Sequence, residues 1–372
     1  MILQRISLQC RIQLSCFTLL VSRSFFTTQA ATSMQPMSES SSAYRRIRQY
    51  ADVKWDELGF GLVPTDHMYI MKCSKEDRIF TRGELKPYGN IEISPCSGVL
   101  NYGQGLFEGL KAYRKRDGNI LLFRPEENAL RLQMGAKRMC MPSPSLDQSM
   151  LSSKQFLLTN VPPPGKESMY IRPLLIGTGP VLRLEPAPEC TFITCAPPVG
   201  NYYKEGSAPL NLVIEEVIHR ATPGGAGGVK TISNYAPVLK AITCAKSRGF
   251  SDVIYLDSVK RNILRKSLHG NIFICNFLRG NWISTPPTQG TILSGITRKS
   301  IIDIAIDHGY QVQERAIEVE ELIHADEVFC TGTAVVVAPV GTGTISMKLH
   351  SILTGIQTGL IADKMGWTVE LY

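Results

Sequence analysis

Four glycines crowd the run Gly224-Gly225-Ala226-Gly227-Gly228-Val229-Lys230, and they constrain the fold more than any other stretch of the chain. A backbone stripped of side chains over so short a span can turn sharply or pass directly against another backbone. The passage ends on a lysine, which Thr231-Ile232-Ser233-Asn234-Tyr235 follows. A lysine that must form and re-form an imine with an aldehyde cofactor needs that close approach, and a hydroxyl nearby, here Tyr235, to hold the cofactor ring. Read alone, the same pattern also describes a solvated turn that carries a lysine.

The surrounding composition is that of an ordinary folded chain: 372 residues, 44% hydrophobic and 19% charged, enough for one or two cores. Its net charge of +8 comes partly from the N-terminus, where residues 1–38 hold Arg5, Arg11 and Arg23, no acidic residue, and many Ser, Thr and Gln. That is a transit-peptide composition, expected over residues 1–35 and addressed to the mitochondrion, with the chloroplast as the alternative. It says nothing of nucleic acid. The apolar piece Cys16-Phe17-Thr18-Leu19-Leu20-Val21 is too short to span a bilayer, so no membrane partner is expected. Ten cysteines are scattered without a Cys-x-x-Cys pair, and six histidines are equally dispersed, so no metal site is expected.

Organised folding starts near Val53. From there, strand-like runs such as Asn119-Ile120-Leu121-Leu122-Phe123 and Met169-Tyr170-Ile171-Arg172 alternate with helical periodicity around Ala129, Leu132 and Ala136. The expected division is a small N-terminal α/β domain over 51–203, an interdomain linker over 204–216 and a larger C-terminal domain over 217–372. The aperiodic stretch from Gly200 to Pro209 marks the linker. Further strands are expected at Leu210–Ile214, Asp252–Leu256 and Asn271–Cys275, and a last helix with Leu349, Ile352, Leu353, Ile356 and Leu360 on one face.

Lys230-Thr231-Ile232-Ser233-Asn234-Tyr235-Ala236-Pro237-Val238-Leu239-Lys240 resembles the cofactor-lysine segment of plant branched-chain amino acid aminotransferases, fold type IV pyridoxal phosphate enzymes. Five further segments match in order: Leu100 to Tyr113, Phe123 to Glu126, Tyr170 to Leu175, Gly295 to Arg298 and Gly332 to Ala334. The resemblance runs from about Ala51 to Tyr372. It implies a two-domain α+β fold, with a smaller α/β N-terminal domain and a larger pseudo-barrel C-terminal domain. It also implies pyridoxal 5'-phosphate as cofactor and a homodimer. The implied reaction passes an amino group between leucine, isoleucine or valine and 2-oxoglutarate.

By the same resemblance Lys230 is the catalytic lysine, with Tyr235, Arg131, Ile296, Thr297 and Thr333 binding the cofactor. Tyr102, Phe107, Tyr170, Arg172, Thr333 and Ala334 line the substrate side. The residues themselves leave plainer readings open. Ile296 and Thr297 open a helix whose free N–H groups attract a phosphate, yet Thr297 could be an ordinary cap. Arg131 standing by itself is a helix surface charge, and Tyr102 and Phe107 could be core packing.

One position departs from the family. Relatives place a glutamate beside the cofactor's ring nitrogen, five residues before the asparagine matching Asn271; here Lys266 stands there, within Leu264-Arg265-Lys266-Ser267-Leu268-His269. A cation there opposes protonation of the ring. His269 and Arg183 also replace smaller residues. One back-translation of Ile263 to His269, read from its third base, encodes Leu-Glu-Glu-Val-Ser-Ser, so the segment is compatible with a shifted frame. Two expectations therefore stand side by side: an active aminotransferase, and an impaired homologue that keeps the fold and the dimer.

Overall fold

A computed structural model describes residues 12–14, 53–154, 161–203, 209–267, 270–277, 280–341 and 343–371. The expected presequence lies outside the described residues except for β1 (Ile12–Leu14), which pairs in parallel with Leu212–Ile214. His269 is also outside them.

The first half of the chain builds one antiparallel sheet. Its strands are β2 (His67–Ser74), β3 (Glu84–Pro87), β4 (Gly105–Phe107), β5 (Leu110–Arg114), β6 (Ile120–Phe123), β7 (Ser168–Gly177), β8 (Glu189–Cys195) and β9 (Pro198–Val199). β5 and β6 are buried along their whole length, which fits sheet strands covered on both faces. Helix α1 (Gly98–Tyr102) precedes β4. Helix α2 (Pro125–Arg138) follows β6, opening on Pro125 with Glu126 and Glu127 in its first turn and closing on Lys137 and Arg138, each suited to the helix dipole. It buries Ala129, Leu132 and Ala136 as the periodicity anticipates. Helix α3 spans Leu146–Lys154.

The second half holds β10 (Leu212–Glu215), β11 (Asp252–Leu256), β12 (Leu264–Ser267), β13 (Asn271–Asn276), β14 (Trp282–Thr285), β15 (Gln311–Glu314), β16 (Glu327–Gly332) and β17 (Val336–Val340). Helices α4 (Leu239–Ser247), α5 (Ile296–Asp307), α6 (Val319–Ile323) and α7 (Thr344–Gln357) lie between and after them. Two sheets result, β1-β10-β11-β12 and β15-β14-β13-β16-β17. Their apolar faces meet in one core, where Leu212, Ile254 and Leu264 pack with Ile272, Val328 and Val340.

Two elements lie near the expected divisions, the first of them the strand expected at Leu210–Ile214. Within the expected 204–216 linker, residues 212–215 form strand β10, paired in parallel with β11, because Leu212, Val213 and Ile214 are fully apolar and gain by leaving water. Residues 204–208 are outside the described ones. The last strand, β18 (Thr368–Leu371), leaves the C-terminal half and pairs with β6, where the Arg124 amide donates to the Trp367 carbonyl at 2.7 Å.

Candidate active site

The glycine run is used as its composition requires. A Cβ on Gly227 would fall 2.8 Å from the Thr291 carbonyl oxygen, and one on Gly228 would fall 2.8 Å from that of Gly290, so the two backbones touch where no side chain fits. The residues after it lock the lysine in place. The Phe107 amide donates to the Lys230 carbonyl at 3.1 Å, and the Thr231 hydroxyl donates to the Gly105 carbonyl at 2.8 Å. The Asn234 side-chain amide donates back to Ala226 and Val229 at 2.8 and 2.9 Å. This leaves the Lys230 amine over the Phe107 ring, 4.4 Å from its centroid, and donating to the Tyr235 hydroxyl at 3.4 Å. Burial alone would raise the Tyr235 pKa, but Lys230, Arg220 and Arg131 surround the phenol and the net shift is downward.

Lys230 opens into a cavity of about 460 Å³ lined from both halves of the chain. On one wall Gly295 leads into α5 without a side-chain cap, so the first amides, at Ile296 and Thr297, remain free donors at a positive helix end. Gly295 is needed there, since a Cβ would meet the Asn271 side-chain oxygen at 2.2 Å. Beside that helix end lies Arg131, only 9% exposed rather than on the helix surface. It is held as a fork by the Glu108 carboxylate at 2.9 and 2.7 Å and donates to the Ser294 carbonyl at 2.8 Å. Asn128 donates to Glu108 as well, at 2.8 Å.

The apolar side holds Phe107, Tyr170 and Arg172. The Arg172 guanidinium stacks 4.9 Å from the Phe107 centroid and 5.1 Å from that of Tyr170. Gly109 makes room for the Tyr170 hydroxyl, which a Cβ there would meet at 2.0 Å. Thr333 and Ala334, in the turn between β16 and β17, complete the wall. Lys266 reaches it from β12, where alternation along the strand sends Arg265 outward to the Asp257 carboxylate and Lys266 inward. At 5% exposure, burial and then the charges of Arg220 and Lys230 hold its amine well below the ordinary lysine range.

One expected residue is elsewhere. Tyr102 ends α1, and Gly103 at φ 64° reverses the chain so that Phe107, not Tyr102, enters the cavity. Tyr102 is 38% exposed and donates its hydroxyl to the Leu182 carbonyl. Neighbouring Arg183 points into solvent beside Glu185 and does not touch the site. Sequence reasoning missed Glu108, Asn271, Thr331, Phe60 and Tyr202. Glu108 alone carried a signal, a carboxylate between the apolar residues of Leu106-Phe107-Glu108-Gly109-Leu110.

The lining residues fit pyridoxal phosphate at two ends. Arg131 and the free amides of α5 suit a phosphate, and Lys230 beside Tyr235 suits an aldehyde next to a phenolic oxygen. Among the described residues the wall carries Arg131, Arg172, Lys230 and Lys266 and no carboxylate, so it attracts anions.

Fold and site together define an aminotransferase of class IV, and the pattern of the family described as "Amino-transferase class IV" matches residues 105–342. The chain is 57% identical over 363 residues to the chloroplastic branched-chain-amino-acid aminotransferase 2 of Arabidopsis thaliana, covering 93% of this chain and 92% of that one. It is 55% identical over 338 residues to the mitochondrial branched-chain amino acid aminotransferase 1 of Humulus lupulus, covering 86% and 85%. Among solved structures, the branched-chain aminotransferase of the thermophilic archaeon Thermoproteus uzoniensis with norvaline superposes with TM-score 0.71 at 27% identity, covering 82% of this chain and 100% of that one. The chain belongs to the plant branched-chain amino acid aminotransferase family, with its two-domain fold type IV architecture and its dependence on pyridoxal phosphate.

Proposed function

We propose that this protein catalyses pyridoxal phosphate-dependent transamination between leucine, isoleucine or valine and 2-oxoglutarate. The observation that carries the reading is the Lys230 amine, 3.4 Å from the Tyr235 hydroxyl, in a cavity whose far wall is the uncapped start of α5 beside Arg131. When bound there, pyridoxal phosphate supplies an electron sink for the charge left as the substrate's α-proton departs. Arg131, Ile296, Thr297 and Thr333 hold the phosphate, and Glu108, by gripping the Arg131 fork, fixes the guanidinium beside it. Tyr235 meets the phenolic oxygen. Lys230 takes the proton from the substrate Cα and returns it as general base and acid.

Phe107 and Tyr170 exclude water from a branched side chain, whose methyl groups gain by burial, while Arg172 fixes both rings from above. The amides of Thr333 and Ala334 receive the substrate carboxylate. Lys266 is assigned to the ring nitrogen, with burial and the neighbouring cations holding its amine well below the ordinary lysine range. Tyr102 is given no role, because it lies outside the cavity. Purified protein supplied with leucine and 2-oxoglutarate should form glutamate, and Lys230→Ala should lose that activity together with the cofactor's hydroxylamine-sensitive absorbance. Retained turnover in that variant would sink the assignment.

The relatives include chloroplastic and mitochondrial proteins, which supports residence in an organelle. The arginine-bearing, acid-free residues 1–35 favour the mitochondrion. A reporter fused to them should enter mitochondria, and plastid fluorescence would overturn that choice. A homodimer is the assembly proposed here, and sedimentation tests it.

A further inference from the structure

The turn Thr333-Ala334-Val335 is a wall shared by two cavities. Thr333 and Ala334 face the active site, while Ala334 and Val335 also line a second cavity of about 350 Å³ behind it. Into that second cavity comes Lys111 from β5, 223 positions away, donating from its amine to the Ala334 carbonyl at 3.2 Å. Lys111 is 8% exposed in a strand buried from end to end. An amine buried there is expensive to desolvate, so a sheet built for stability alone has no use for it. The turn it holds is under strain: Val336, a branched residue, has φ 58°, in the left-handed region. Among the described residues, the amides of Thr333 and Ala334 donate to no carbonyl of a loop or turn.

We propose that Lys111 is a positioning residue for substrate binding: by pinning the Ala334 carbonyl from behind, it keeps the Thr333 and Ala334 amides turned toward the substrate carboxylate. Holding the Ala334 carbonyl fixes the Ala334–Val335 peptide plane, and in a turn this short that limits the dihedrals of Ala334 and Thr333 through which the preceding amides could swing away. The inference rests on the carboxylate role given above to those two amides. Because Lys111 touches neither substrate nor cofactor, its loss acts on binding more than on chemistry.

The groups facing Lys111 are the Glu167 carboxylate, Lys166, Tyr113 on the same strand, Tyr202 and Tyr203, and His350 from α7. Burial pulls its amine down to about 8, with Glu167 opposing. The folded-state value is depressed, so the amine is charged below about pH 8 and loses its charge-assisted bond as pH rises through that value.

The test compares holoenzyme with Lys111→Met and Lys111→Arg. The probe is 4-methylvalerate, a branched carboxylate without an amine to titrate. In Lys111→Met its dissociation constant and the KM for leucine should rise roughly tenfold, with kcat within about twofold. Lys111→Arg should recover most of the loss. Wild-type affinity should weaken above about pH 8, and that inflection should be missing in Lys111→Met. Unchanged affinity and KM in the methionine variant would overturn the proposal, as would equal damage to kcat and affinity in both variants. Amide exchange over residues 333–336 is read in parallel and needs no turnover: it should quicken in Lys111→Met, and unchanged exchange removes the pinning. If wild-type protein transaminates no branched-chain amino acid, the assignment of the site falls while the exchange result still decides the role of Lys111.

Discussion

Lys266 shows how one side chain can oppose the chemistry around it. Its amine is buried among Arg220 and Lys230, with Asp252 the only opposing charge of note. Arg220 adds to the imbalance, since at 7% exposure burial pulls its own guanidinium downward, with the Tyr235 phenol opposing. A lysine whose folded-state pKa is depressed binds its proton more readily in the unfolded chain, so stability rises with pH between the two values. Lys266→Met should therefore be more stable than wild type at neutral pH, by an amount that shrinks as pH approaches 10; each unit of depression is worth about 1.4 kcal/mol. Denaturant titrations at several pH values measure it, and a pH-independent difference would show that Lys266 is not the titrating group. Lys266→Glu goes further, placing a carboxylate beside Arg220 and favouring a protonated cofactor ring. Transamination of leucine should quicken on the order of tenfold or more, since a carboxylate about 4 Å from the ring nitrogen favours its protonated form by more than about 1 kcal/mol. An unchanged rate at saturating cofactor would place the ring nitrogen elsewhere.

At the scale of elements, the loops and helix starts that build the site follow from backbone geometry. Gly227 sits where a Cβ would meet Ala221 at 2.3 Å and the Thr291 backbone within 3.1 Å. Gly227→Ala should push the loop off its neighbour, costing roughly 1–3 kcal/mol of stability and displacing Lys230 from Tyr235. Thermal unfolding and cofactor affinity both report on this, and a variant with wild-type values would mean the loop can relax freely. The same logic explains what could be read in advance. Around Lys230, Thr297 and Arg131 the glycines, the helix start and the helical period left local marks that fit a solvated turn, a cap and a surface charge equally well, and the family resemblance gave them their roles; helix α2 and strands β11 and β13 fall within a residue or two of where their patterns put them. Glu108 did not declare itself as the partner of Arg131, because a contact 23 residues apart leaves no periodic trace. Tyr102 misled for the opposite reason: it sits inside a matching segment, but the φ of Gly103 decides which way it points. Nothing local announced Lys111 either, whose partner lies 223 residues away.

At the scale of the whole molecule, a strand from beyond the second half closes the first sheet. β18 completes the first sheet, Trp367 packs edge-on to Phe123 at 5.8 Å and lies 4.8 Å under Arg124, and Glu370 pairs with Lys115 at 2.8 Å. Removing residues 367–372 strips the edge of β6 and a buried indole. The truncated protein should melt on the order of 10 °C lower, as expected for the loss of a buried aromatic plus a strand. Calorimetry tests this, and an unchanged transition would show that the strand is ornamental. The sequence did not disclose this closure, since the short run Thr368-Val369-Glu370-Leu371 carries no sign of which sheet it will join.

That closure also orders events in time. Synthesis is vectorial, and the strand that caps Ile120–Phe123 is made only after more than two hundred intervening residues. Until β18 emerges, the first sheet keeps an open, wholly apolar edge while the segments between are still being added. A nascent chain in this condition is a natural client for chaperones that bind exposed strands. A stop codon before Thr368 would leave the finished polypeptide in the same unsealed state, prone to pair with its own copies.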